Sequence, residues 1–327
     1  MKGGKGPEEW LLLNKCSELG CTAVMDWLSP LFTSLIVALL FLAPLFFITG
    51  VAIYTRRLLS KDRVSPLSSA LLRPAGYSLQ KSIDDLQSDL MEAFIAIPIM
   101  GCLVPLILLL NEKLFDNVVG WGTWLLSGIA VVFILGYYIV NVIKIVKKLA
   151  SYRLGLACEM AVGQELEQVI RPANHPYRIF HDIQFEGFNV DHLVVSPNGV
   201  FVIETKGRSK PVVDGKKQAR VRLENDTLYF PMCSEKQPLE QVRMNVRAVK
   251  KWLSESTGLD VPVAGVLVLP GWYIERKQKA VDPYVLSAKE LPYQLPRFIV
   301  GALELGQVQA VAYQIDQRVR NVDRDKV

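Results

Sequence analysis

Histidine is scarce, with three in 327 residues, and His175, His181 and His192 lack metal-ligand spacing with a carboxylate. The five cysteines (Cys16, Cys21, Cys102, Cys158 and Cys233) include no Cys-x-x-Cys pair. Both shortages argue against a zinc site. Cys16 and Cys21 can pair if their side of a membrane is oxidising; otherwise they are two plain thiols. A Walker glycine loop and a dinucleotide-binding glycine fingerprint are also missing, so nothing points to those nucleotide-dependent enzymes. The most informative absence is charge: residues 27–55, 93–111 and 117–143 contain no Asp, Glu, Lys or Arg.

What is present explains that pattern. The chain is 50% hydrophobic and 21% charged, with a mean hydropathy of +0.24. Residues 151–327 carry 45 of the 69 charged side chains, so the average hides two populations. A purely soluble protein, a disordered chain and a small disulfide scaffold are all excluded. A helix crossing a hydrocarbon core of about 30 Å needs about 20 apolar residues. The first and third runs meet that length, and the third carries Trp121, Trp124, Tyr137 and Tyr138 towards its ends, as interface anchors do. The second is marginal, with Pro98, Gly101 and Pro105 inside it, and also reads as a re-entrant or interfacial segment.

Positive charge decides between two and three crossings. Arg56, Arg57, Lys61, Arg63, Arg73 and Lys81 lie between the first two runs, Lys113 alone lies in the next link, and Lys144, Lys147, Lys148 and Arg153 follow the third. Lys and Arg mark the cytoplasmic side. Three spans satisfy this, with the N-terminus outside and the C-terminal half cytoplasmic, in an inner or plasma membrane. The expected organisation is an extracytoplasmic segment 1–28, a three-span region 29–148 with a basic cytoplasmic loop at 55–92, a soluble domain 150–275, and a C-terminal extension 276–327 packed on it. The N-terminal run is too long, and too acidic in its flank, for a cleaved signal. No ionisable residue interrupts a span, which weakens a channel or pump reading.

In the soluble half, residues 151–172 read as a helix stopped by Pro172. Residues 177–183, 189–195 and 200–206 read as strands, the last two joined by Ser196-Pro197-Asn198-Gly199. A second hairpin is expected at 219–230, turning at Glu224-Asn225-Asp226. Leu239, Val242, Val246, Val249 and Leu253 stripe a helix over 237–255, and 261–269 is a buried strand. Helices are further expected at 296–305 and 308–319. The fold class is an α-helical membrane half followed by an α/β domain with a mixed sheet.

The chemistry concentrates in residues 189–206. If the hairpin turns on Asn198-Gly199, Asp191 faces Lys206 and Glu204 is the diagonal neighbour; a four-residue loop sets Asp191 opposite Glu204. Either way Asp191, Glu204 and Lys206 share one face, because side chains alternate with period two. His192 points to the other. Two carboxylates suit a hard divalent cation, and a lysine beside them can orient water or offset charge on phosphate. An ordinary ion pair at a sheet edge uses the same residues.

The segment Asp191-His192-Leu193-Val194-Val195, then Pro197-Asn198-Gly199-Val200-Phe201-Val202-Ile203-Glu204-Thr205-Lys206, resembles the NERD (nuclease-related) domain of the PD-(D/E)xK nuclease-like superfamily. Gln237-Pro238-Leu239-Glu240-Gln241 and the helix with Gly163 and Glu165 add to the resemblance, which spans roughly residues 155–270. It implies a restriction-endonuclease-like αβββαβ core, Asp191 and Glu204 as ligands of Mg²⁺ or Mn²⁺, and Lys206 positioning water. It further implies Glu165 as the first helix's acid and Gln241 as a polar support. Gln164 stands where the family usually has glycine, and Gln237 where it has asparagine. The function implied is a membrane-anchored, metal-dependent nuclease acting on DNA; the alternative is an inactive nucleic-acid- or protein-binding module. Arg208, Lys210, Lys216, Lys217, Arg220 and Arg222 form a basic stripe that suits a phosphate backbone, or a sheet edge kept soluble by charge.

Overall fold

The structure is a computed structural model that describes residues 47–48, 50–51, 54–55, 71–114, 120–170, 176–277 and 282–321. Segment 1–28, with Cys16 and Cys21, and most of the first charge-free run lie outside the described residues. The described residues fall into two compact units, those up to residue 66 with 90–143, and those of 67–89 with 144–327.

Two long helices connect them in sequence. Helix α1, Tyr77–Leu114, includes the marginal second run without a break, and α2, Trp121–Ile170, joins the third run to the helix expected at 151–172. Among the described residues α2 is the one helix long and apolar enough to cross a membrane.

The second unit is a mixed α/β fold. Strands β1 (Arg178–Phe185), β2 (Phe188–Ser196) and β3 (Gly199–Thr205) form an antiparallel meander. Two short exposed strands, β4 (Val212–Val213) and β5 (Lys216–Lys217), follow as a hairpin, and then β6 (Arg220–Glu224), whose Val221 and Leu223 are buried. The chain continues through β7 (Thr227–Tyr229), β8 (Ser234–Glu235), helix α3 (Gln237–Thr257) and β9 (Val263–Val268). It ends with β10 (Tyr273–Arg276), β11 (Tyr284–Leu286), helical turns over 288–297 and helix α4 (Leu305–Asn321). The main sheet has the order β1-β2-β3-β9-β11, parallel from β3 onward, and a second sheet has the order β10-β6-β7-β8.

Both faces of the main sheet are covered, so β2 and β3 read as continuous apolar runs. Leu193, Val195, Val200 and Val202 face Val249 and Leu253 of α3 and Val311 and Ile315 of α4. Val194, Phe201 and Ile203 face Val162, Leu166 and Val169 of α2 together with Leu291 and Leu295. Each such side chain contributes roughly 1.5–3 kcal/mol by leaving water. Gly265 lets α3 sit close to β9: a Cβ there would lie 2.4 Å from Val242 Cγ1. Ile83 and Leu86 of α1 pack on Leu149 of α2, so the start of α1 belongs to this unit.

Two expectations are corrected. The hairpin turns on Pro197-Asn198, not Asn198-Gly199: Ser196 pairs with Gly199, and Gly199 takes the positive φ of 117°. Asp191 therefore lies level with Glu204, as the four-residue alternative requires. The helix expected at 296–305 is absent. Val300 and Leu303 donate their N–H groups to the carbonyls of Asn198 and Pro197, so this stretch clamps the β2–β3 turn and forms no helical ladder. Regular helix begins at Leu305, and α4 covers the stretch expected at 308–319.

Candidate functional site

Asp191 lies near the start of β2 on the α3 side of the sheet, and Glu204, the penultimate residue of β3, lies beside it. Both are buried. The Thr205 N–H donates to Asp191 Oδ2 at 2.7 Å, while Asp191 Oδ1 has no hydrogen bond among the described residues. Glu204 is held from three sides. Lys206 Nζ and Gln241 Nε2 donate to its Oε1 at 2.8 and 2.7 Å, and Asn245 Nδ2 donates to its Oε2 at 3.1 Å. Gln241 and Asn245 are one helical turn apart on α3 and so share a face. Asp191, Glu204, Lys206 and Gln241 open on a cleft of about 510 Å³, also lined by Glu159 of α2 and by Ser78, Leu79 and Ser82 of α1.

Glu165, the expected acid of the first helix, is elsewhere. It accepts a hydrogen bond from Gln168 at 2.8 Å and does not line the cleft. The buried stripe of α2 runs Glu159, Val162, Leu166 and Val169, and Glu165 falls about 100° off it. Glu159 of the same helix lines the cleft instead, and its helical spacing from Val162 and Leu166 is the signal for it in the sequence. The signal for Asn245 is of the same kind, a polar residue between Val242 and Val249 on the buried face of α3.

The carboxylates tune one another. Burial, then the negative charges of Asp182 and Glu204, push Glu159 up to about 7. Burial and the Glu204 and Glu159 charges hold Asp191 well above the usual carboxylate range. Burial raises Glu204 too, opposed by the Lys206 charge and by its hydrogen bonds. A carboxyl raised in the folded state stabilises it below the unfolded value and loses that contribution as pH rises through the folded one. Between pH 6.5 and 8.5, with chelator present, Glu159 alone should cost about 1 kcal/mol of stability. Chemical denaturation at the two pH values checks this, and Glu159→Gln should flatten the difference.

A fourth carboxylate was not legible in the sequence. Asp182 has a φ of 50° and is skipped by the β1–β2 ladder, level with Asp191. Its Oδ2 accepts from Arg73 Nη1 at 3.1 Å, from the Ser78 N–H at 3.2 Å and from Ser78 Oγ at 2.7 Å. Residues 73–78 are thus bonded into the domain next to the cleft. On the opposite sheet face His192 is buried, its Nδ1 2.8 Å from His181 Nδ1, and burial lowers both rings below their ordinary value. They are a packed pair beneath Gly163, not part of the cleft.

The basic stripe is less free than its composition implies. Arg208 is bound by Glu235 through Nε at 3.0 Å and Nη2 at 2.7 Å. Arg222 pairs with Glu224 at 3.3 Å and covers the Tyr229 ring. Lys210, Lys216, Lys217 and Arg220 make no ion pair among the described residues.

Residues 154–270 match the model of the NERD, nuclease-related domain family. A NERD domain is therefore found at residues 154–270. No curated protein and no solved structure matches the chain. The matched residues supply Asp191, Glu204, Lys206, Gln241 and Glu159, so the NERD domain holds the acidic side of the cleft. Ser78, Leu79, Ser82 and the Arg73 counter-ion come from outside it.

A divalent cation fits part of this donor set. Among the described residues, no three His, Cys, Asp or Glu side chains are gathered as a metal cage. Mg²⁺, however, is commonly held by one or two carboxylates with water and substrate phosphate. Counting lone pairs, Asp191 Oδ1 is open and Glu204 Oε2 has one donor, whereas Glu204 Oε1 already has two.

Proposed function

We propose that the protein is a membrane-anchored, metal-dependent nuclease whose NERD domain hydrolyses phosphodiester bonds on the cytoplasmic side of an inner or plasma membrane. The observation that supports it most is the convergence of Asp191, Glu204 and Lys206 on one cleft, each side chain fixed by a named partner. Asp191 and Glu204 would hold Mg²⁺ or Mn²⁺. The cation supplies Lewis-acid polarisation of the phosphate and a lowered pKa for bound water. The protein's own groups do the rest. Gln241 and Asn245 hold Glu204 in one rotamer, the Thr205 N–H orients Asp191, and Lys206 Nζ offsets negative charge on phosphate oxygens. Glu159, raised by burial and by the Asp182 and Glu204 charges, faces the same cleft and could carry a proton at its carboxyl.

The test is Mg²⁺-dependent cleavage of DNA and RNA by the full chain in detergent. Asp191→Asn should abolish turnover. Equal activity in wild type and variant, traceable to contamination, would refute the catalytic assignment. The second reading is a binding module without turnover, with Lys210, Lys216, Lys217 and Arg220, unpaired among the described residues, as its phosphate contacts. Salt-sensitive DNA binding with no metal-dependent cleavage would establish it.

For the anchor we propose three spans and the domain organisation set out from the sequence. The ion pair between Arg73 and Asp182 supports this, because it requires the loop after the first run and the C-terminal domain to share one side. An even number of crossings must separate them. A cysteine placed at Lys113 should label from outside only; labelling from the cytoplasm alone would overturn the three-span arrangement.

A further inference from the structure

The second sheet has an outer face that the cleft chemistry does not use. Val221, Leu223, Leu228 and Ile274 point inward and pack with Leu239 and Val242 of α3 and with Leu267 of β9, so alternation sends Arg220, Arg222, Tyr229 and Tyr273 outward. Tyr273 pairs across the strands with Arg220, is 66% exposed, and has no ring or hydrogen-bond partner on its side chain among the described residues.

Tyr273 also borders a second cleft of about 630 Å³, lined by Lys210, Arg276, Lys289 and Glu290. That volume falls within the range of small-ligand sites. Glu290, the one acid lining it, is bound by Arg276 at 2.9 Å. Lys210 and Lys289 therefore leave the cleft positive, and Arg220 adds to it from the neighbouring strand; none of the three makes an ion pair among the described residues. The cleft is tied to the acidic one. Trp272, buried, donates Nε1 to the Arg208 carbonyl at 3.3 Å, and Lys210 follows Lys206 by four residues. At most about 14 Å of chain separates them.

We infer that this second cleft binds single-stranded nucleic acid, an unpaired base stacking on Tyr273 while Lys210, Arg220 and Lys289 hold the backbone. An exposed aromatic face among unpaired cations is what a single strand recognises, since every base has a π-face and every linkage a charge. A duplex keeps its bases stacked on each other and gains nothing from Tyr273. The inference rests on the nucleic-acid reading of the neighbouring cleft.

The test is fluorescence anisotropy of the full chain in detergent with chelator, using a single-stranded oligodeoxynucleotide, the matching oligoribonucleotide and the DNA duplex; Mg²⁺-dependent cleavage is measured separately. The expected result is tighter binding of a single strand than of the duplex. Tyr273→Ala should weaken it about tenfold, Tyr273→Phe should restore it, and the Lys210→Ala/Lys289→Ala pair should flatten its salt dependence. The two single strands tell DNA from RNA. If wild type binds or cleaves and these variants bind as tightly, the cleft assignment is wrong and the nuclease reading stands. If the variants lose affinity for phosphatidylserine vesicles but not for oligonucleotide, the face is a membrane contact and the inference is overturned. Wild type that neither binds nor cleaves removes both readings.

Discussion

The Arg73→Ala variant is expected to lose about 3–5 kcal/mol of stability, the range found when one member of a buried ion pair is removed. Arg73 and Asp182 are both buried, with side chains 4% and 1% exposed, and Arg73 Nη1 lies 3.1 Å from Asp182 Oδ2. The guanidinium also covers the Tyr77 ring at 4.9 Å. Without it, Asp182 keeps only Ser78 as donor, and its Oδ1 already lacks a hydrogen bond. A typical domain has a total stability of about 5–15 kcal/mol, so the loss is large. Urea unfolding of the full chain in detergent is the measurement. The Arg73→Met/Asp182→Asn pair should recover most of the loss, because the uncompensated charge, not the missing contact, is what destabilises. If Arg73→Ala unfolds like wild type, residues 71–89 are not docked on the domain. For the same reason a fragment starting at residue 150 is a poor substitute for the full chain, since it leaves Asp182 without its cation.

Lys206→Met is expected to lower kcat for metal-dependent cleavage by about 10²–10³-fold, the loss typical of removing one preorganised donor from a developing negative charge. The methionine keeps the length of the stem and removes the charge. Stability should change far less than in Arg73→Ala. Glu204 retains Gln241 and Asn245 as donors, and burial already raises its carboxyl, so taking up a proton can offset part of the loss of the lysine. The comparison to make is kcat at saturating substrate against the unfolding midpoint. A fall in activity that merely tracks a fall in stability would reduce Lys206 to a structural ion pair.

How much of this was legible depends on the range of the information. The Asp191, Glu204 and Lys206 side chains lie within sixteen residues on one hairpin. Strand alternation alone set their common face, even though the turn was read one residue off. Gln241 came from the resemblance, whereas Asn245, one turn later on the same helix face, is identified only by the structure. Glu165 lies off the cleft because a helix stripe is set by phase, and one residue of phase is 100° of rotation. Asp182 is not legible from local periodicity: its backbone has a φ of 50°, and the Arg73 that pairs with its carboxylate lies 109 residues away.

The sequence by itself determined where charge is missing, and hence the apolar runs. It also determined the mixed α/β order of the C-terminal half and the paired carboxylates with their lysine, since all of these follow from local periodicity. Tertiary structure alone decided that Arg73 and Ser78 belong to the domain, that Glu159 and not Glu165 faces the cleft, and which stripe cations are already paired. Those outcomes depend on which surfaces bury each other, and burial is where an unpaired charge becomes costly enough to choose its partner.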